Sequence, residues 1–120
     1  MRNPQINLLV IRTNQPKILA EFYELLGMKF CYHQHGNGPF HYAADMDGFV
    51  FEIYPLLKKQ HKADSSLRLG FTVDYLDKLI VTLKAHNVDI LKEPTQMEWG
   101  YVGVIRDLDG RKIELKEYVS

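Results

Sequence analysis

Two segments of the chain follow one pattern. Asp45-Met46-Asp47-Gly48 runs on through Phe49-Val50-Phe51 to Glu52 and Ile53, and Asp107-Leu108-Asp109-Gly110 runs on through Arg111-Lys112-Ile113 to Glu114 and Leu115. Asp-Gly between alternating segments predicts a hairpin turn, because glycine takes the positive φ that such turns need. Strand side chains alternate between faces, so each Glu faces away from its apolar neighbours. Phe51 and Ile53, like Ile113 and Leu115, are expected in a core, with Glu52 and Glu114 on the opposite surface. Two carboxylates at equivalent places in two half-chains suggest one site lined from both halves.

The rest of the chain falls into two matching series. Leu and Ile around Ile6 to Arg12 predict a buried strand. Thr13 or Asn14 is the expected cap of a helix with Pro16 in its first turn. Ile18, Leu19, Phe22, Leu25 and Leu26 recur at helical spacing, and Gly27 is a helix stop. Strands are expected over Met28 to Gln34, Phe40 to Ala44 and Phe49 to Tyr54. The basic stretch within Leu56 to Ser66 has no core pattern and reads as a linker. A second series follows, with a strand over Leu67 to Val73 and Asp74 as helix cap. Leu76, Leu79, Ile80 and Leu83 form its helical stripe, and Asn87 its end. A short strand is expected over Val88 to Leu91, a loop over Lys92 to Glu98, and strands over Trp99 to Arg106 and Lys112 to Tyr118. The reading is an α+β chain of two tandem β-α-β-β-β modules, about 5–55 and 67–119 with a linker of about 56–66. Together they make a single domain over 1–120, whose curved mixed sheet surrounds a central cleft.

Charge and composition narrow the function. Formal net charge is zero, which argues against a nucleic-acid binder, since that needs a basic face. No run is long and apolar enough to span a membrane, and Met1-Arg2-Asn3-Pro4-Gln5 does not open a signal peptide. Cys31, the single cysteine, permits no internal disulfide, so a cytoplasmic setting is expected.

Aligning the helix starts sets Leu8 opposite Arg68 in the two opening strands. Leu8, Val10 and Arg12 then share one face, as do Arg68, Gly70 and Thr72. Arg68 lies on the face opposite the one that packs on the helix, where it can meet Glu52 and Glu114 if the halves share a cleft. A guanidinium can pair with both carboxylates, and the cluster is either a binding site or a structural ion network.

The paired modules resemble the vicinal oxygen chelate superfamily, which includes glyoxalase I, extradiol dioxygenases, and fosfomycin- and bleomycin-resistance proteins. The resemblance rests on Phe22-Tyr23-Glu24-Leu25-Leu26-Gly27, on Gly70-Phe71-Thr72-Val73-Asp74, and on Asp107-Leu108-Asp109-Gly110 followed by Glu114. It implies a divalent metal held from the first, fourth, fifth and eighth strands. Those positions match Leu8, Glu52, Arg68 and Glu114 here, with Asn7 the polar residue nearest the first. Leucine cannot coordinate and arginine has no acceptor. No cofactor is therefore expected. If a metal such as Zn, Ni, Fe or Mn is held, Glu52 and Glu114 are its ligands. The resemblance also implies a homodimer.

Other residues have two readings each. His33, His35 and His41 could form a metal cluster or a pocket rim. A hairpin closed over Gly36 to Pro39 pairs Gln34 with His41 and puts His41 on the face away from His33, and a different turn reverses this. His41 is the candidate general base. Tyr54, Trp99 and Tyr101 are either pocket walls or ordinary packing. The leading functional reading is a metal-independent binder of an anionic or aromatic small molecule anchored by Arg68. The alternative is a glyoxalase-like lyase or isomerase, with Glu52 or Glu114 as base and a metal or Arg68 stabilising an enolate.

Overall fold

In the computed structural model, which describes residues 1–120, the chain forms two units, Met1–Ala63 and Asp64–Ser120. The first unit runs β1 (Leu8–Thr13), α1 (Pro16–Glu24), β2 (Cys31–His33), β3 (His41–Asp45) and β4 (Val50–Pro55). The second runs β5 (Leu69–Val73), α2 (Leu76–Ala85), β6 (Ile90–Met97), β7 (Gly100–Arg106) and β8 (Lys112–Glu117). Each unit has its own four-stranded mixed sheet, in the orders β1-β4-β3-β2 and β5-β8-β7-β6. The parallel pairs β1–β4 and β5–β8 need a crossover, and the helix of each unit supplies it. No helix is long and apolar enough to cross a membrane.

The two Asp-Gly turns are both present and are built differently. Asp47 and Gly48 both take positive φ, 57° and 92°. Met46 and Phe49 exchange backbone hydrogen bonds, which makes a two-residue hairpin of the primed type. In the second turn only Gly110 has positive φ, 93°. Gly110 N–H donates to the Asp107 carbonyl and Asp107 N–H to the Arg111 carbonyl. The Asp107 carboxylate also accepts from the Asp109 and Arg111 backbone N–H groups, an Asx arrangement that stiffens a longer turn.

Alternation works as the sequence suggests. Phe51, Ile53, Ile113 and Leu115 are fully buried. In the first unit Leu19, Phe22 and Tyr23 of α1 pack on that face, with the Tyr23 and Phe51 rings edge to face at 5.0 Å. In the second, Leu76, Ile80 and Leu83 of α2 are buried. Each such side chain contributes about 1.5–3 kcal/mol of burial.

Four local expectations are corrected. Ile18 is half exposed, and Ala20 and Tyr23 take the buried stripe with Leu19 and Phe22. Neither Thr13 nor Asn14 caps α1; Gln15 precedes it without a side-chain cap, and Thr13 Oγ1 accepts from Gln15 N–H instead. Asp74 does not cap α2. Tyr75, at φ 49°, leads into that helix, and Glu117 Oε2 on β8 accepts from Leu76 N–H at 2.8 Å. The expected loop over Lys92 to Glu98 is mostly strand. β6 lies at the sheet edge and shifts register between Ile90 and Lys92 and again before Thr95. An edge strand with bulges is where Pro94 is tolerated.

Candidate functional site

The Asp47-Gly48 turn fixes the register Ala43↔Glu52 and Asp45↔Val50 between β3 and β4. On the other side of β4, Leu8 pairs with Val50, Val10 with Glu52 and Arg12 with Tyr54. One face of this sheet therefore carries Leu8, Val10, Val50, Glu52, Tyr54 and His41. The other carries Phe51 and Ile53 against α1.

The hairpin between β2 and β3 corrects the expected register. His33 pairs with His41, Tyr32 with Tyr42 and Cys31 with Ala43. A shift of one residue moves a side chain to the other face, so His33 and His41 lie together on the Glu52 face. The cause is in the loop. Gly38 N–H donates to the His35 carbonyl, and the Gln34 side chain donates to the Gly38 carbonyl at 2.6 Å. The strand thus stops at His33.

These registers gather four side chains. The nitrogens of His33, His35 and His41 and a carboxylate oxygen of Glu52 all lie within 4.8 Å of one another. His33 Nε2 is 3.2 Å from His35 Nε2. Glu52 Oε2 is 3.2 Å from His41 Nε2 and 3.9 Å from His35 Nε2. His41 is fully buried and Glu52 is 8% exposed, while His35 lies at the open side. Close as it is, His41 Nε2 has no aligned hydrogen-bond partner. Its Nδ1 sits 3.2 Å from the Pro39 carbonyl, the geometry of an N–H donor. The His41 ring lies flat on Tyr54 at 4.1 Å, and Arg12 approaches the same tyrosine from β1 at 5.0 Å. Burial pushes the Tyr54 phenol up, and the Glu52 charge adds to this against the pull of Arg12.

Next to the cluster is a concavity of about 690 Å³ lined within the first unit. Leu8, Cys31, Ala43 and Val50 give it an apolar wall, and His33, His35 and Glu52 supply polar atoms. Ligand sites commonly measure about 300–1,000 Å³ with a few convergent polar groups in an apolar lining.

In the second unit Glu114 pairs with Val104 and Gly70, so it occupies the place that Glu52 has in the first. Its carboxylate accepts from Trp99 Nε1 at 3.3 Å. Arg68 stands exposed just before β5, on the parity of Gly70 and Glu114. Tyr101 is turned to the other face, where its hydroxyl donates to Asp77 of α2 at 2.7 Å. Trp99 and Glu114 are thus brought together, and so are His41, Glu52 and Tyr54, whereas Tyr101 does not join Glu114. His33 and His35, for which the sequence offers a metal cluster or a pocket rim, lie beside His41 and Glu52. The Asp47-Gly48 register was the signal that joins their partner His41 to Glu52.

The four-ligand metal implied by the resemblance does not fit the donors at its positions. Leu8 has no donor atom, and the Arg68 guanidinium repels a cation. No step is assigned to a metal held there.

A model of the Glyoxalase/Bleomycin resistance protein/Dioxygenase superfamily matches residues 5–115. Among solved structures, an integron cassette protein from the mobile metagenome of V. cholerae is similar, with TM-score 0.74 and 23% identity over 99% of this chain and 98% of that one. TnmS3, an antibiotic binding protein from Streptomyces sp. CB03234, gives TM-score 0.76 and 21% identity over 99% of each chain. TioX from Micromonospora sp. ML1 gives 0.72 and 15% over 97% of this chain and all of that one. No curated protein matches in sequence.

Proposed function

We propose that this chain, which belongs to the Glyoxalase/Bleomycin resistance protein/Dioxygenase superfamily, binds a small organic molecule in the concavity of its first unit. The observation that carries the reading is the apolar wall of Leu8, Cys31, Ala43 and Val50 beside the polar atoms of His33, His35 and Glu52. A flat, partly apolar ligand fits such a lining, with its polar edge toward the histidines. Likeness to an antibiotic binding protein supports the same reading. In the second unit we assign Arg68 the role of anion anchor and Trp99 that of an aromatic contact beside Glu114. The binding does not require the metal that the superfamily holds at positions occupied here by Leu8 and Arg68. We extend the proposal to a homodimer, which light scattering on the purified chain checks.

A thermal-shift screen of planar aromatic compounds, carboxylates and antibiotics tests the binding. A true ligand at a hundred times its Kd adds about 2.7 kcal/mol, a rise of roughly 10 °C in Tm for a chain of this size. If no compound shifts the transition, or if a hit is indifferent to filling the concavity, the reading fails.

One observation favours a second reading, a glyoxalase-like lyase or isomerase. Glu52 is a largely buried carboxylate at the edge of the concavity with His41 Nε2 at 3.2 Å, the setting of a general base. Turnover of a hydroxy-carbonyl compound that survives in Glu52→Gln would remove that role from Glu52.

A further inference from the structure

We propose that His33, His35, His41 and Glu52 form a binding site for one divalent transition-metal ion of the zinc type, contained within the first unit. The site shares only Glu52 with the positions rejected above, and its other donors come from the β2–β3 hairpin. It does not depend on the organic ligand.

The donor set is three imidazoles and one carboxylate, a combination that suits Zn²⁺ and its late first-row neighbours. Tetrahedral zinc with bonds of about 2.0–2.1 Å sets its donor atoms roughly 3.3 Å apart. Two of the separations, His33 Nε2 to His35 Nε2 and His41 Nε2 to Glu52 Oε2, are 3.2 Å. The third short one, His35 Nε2 to Glu52 Oε2, is 3.9 Å. The outermost donor, His35, has an exposed side chain just beyond the end of β2.

His41 gives the independent observation. It is fully buried, and its Nε2 has no hydrogen-bond partner. Its other nitrogen faces the Pro39 carbonyl at 3.2 Å. An Nδ1–H donated to that carbonyl fixes the tautomer and leaves the Nε2 lone pair directed into the cluster. Metal-bound histidines are oriented in this way, by a carbonyl on the far nitrogen. Stacking on Tyr54 holds the ring plane. A buried nitrogen aimed at a carboxylate and two further imidazoles is satisfied at once by a cation among them.

The test uses the full chain, stripped with a chelator and titrated with Zn²⁺ against a chromophoric competitor. One equivalent per chain is expected, together with a rise in Tm. Because His35 is exposed, His35→Ala leaves folding intact, and it is expected to weaken binding by about tenfold or more. His33→Ala should do likewise, and His86→Ala, on the second unit, should change nothing. Co²⁺ in place of Zn²⁺ should give the strong visible absorption of a four-coordinate ion. Mg²⁺ and Ca²⁺, which prefer oxygen donors, should not compete. Absence of one-to-one Zn²⁺ uptake would overturn the proposal. Uptake unchanged in both His35→Ala and His33→Ala would overturn it equally.

Discussion

Arg111 Nη1 lies 3.0 Å from Asp107 Oδ2, and both side chains are all but sealed from water, at 1% and 0% exposure. Asp109 takes the same nitrogen at 2.9 Å. Burial works against the guanidinium charge, but the bonds and charges of Asp107 and Asp109 outweigh it and raise its pKa above the usual value. Removing one partner leaves a buried carboxylate uncompensated, which typically costs about 3–5 kcal/mol. Arg111→Met should therefore lower the urea midpoint steeply. A loss below about 1 kcal/mol would mean that the turn relaxes and lets water reach Asp107.

The start of α2 is capped across the sheet, from Glu117 to Leu76 N–H. Glu117→Ala should cost about 0.5–2 kcal/mol, as cap losses do. Asp74→Ala should stay within about 0.5 kcal/mol of wild type, as ordinary surface changes do. Chemical denaturation of the two variants side by side decides which carboxylate serves the helix. The reverse ranking would return the cap to Asp74.

Tyr101 donates to Asp77, and that hydrogen bond, with burial and the Asp77 and Glu117 charges, raises its pKa. A phenol whose folded pKa exceeds its unfolded value contributes stability that is whole below the unfolded pKa. The contribution fades as pH climbs through the raised folded pKa. Tyr101→Phe should therefore be slightly less stable than wild type near neutral pH, and the gap should close in strongly alkaline buffer. A gap that widens with alkali would exclude this bond as its source.

Leu8 is exposed and lines the concavity of the first unit. Leu8→Trp should fill that space while leaving the unliganded Tm within a few degrees. Any ligand-induced rise in Tm found by screening should then vanish. A rise that persists would move the ligand elsewhere on the chain.

Much of the fold was legible in sequence because two short-range rules dominate it. Asp-Gly turns and strand alternation together place Phe51, Ile53, Ile113 and Leu115 inward and Glu52 and Glu114 on the other face. What escaped was set by distant side chains. Glu117 is remote in sequence from the helix it caps, and no local pattern around Asp74 reveals that a better acceptor arrives from β8. The strand β6 was hidden by Pro94, since the bulges that accommodate it leave no clean period. The β2–β3 register spans a loop in which the Gln34 side chain donates to the Gly38 carbonyl, a contact that no local pattern announces. A two-residue turn is a stricter ruler than a seven-residue loop. Counting back from Asp47-Gly48, rather than across Gly36 to Pro39, puts His41 on the Glu52 face from sequence alone.

The irregularity of β6 bears on how the protein behaves at high concentration. A straight outer strand offers an unbroken row of donors and acceptors on which another chain can build. Here the strand shifts register twice, and Pro94 within it carries no N–H. The second unit therefore carries its own safeguard against sheet extension into insoluble fibres along this margin.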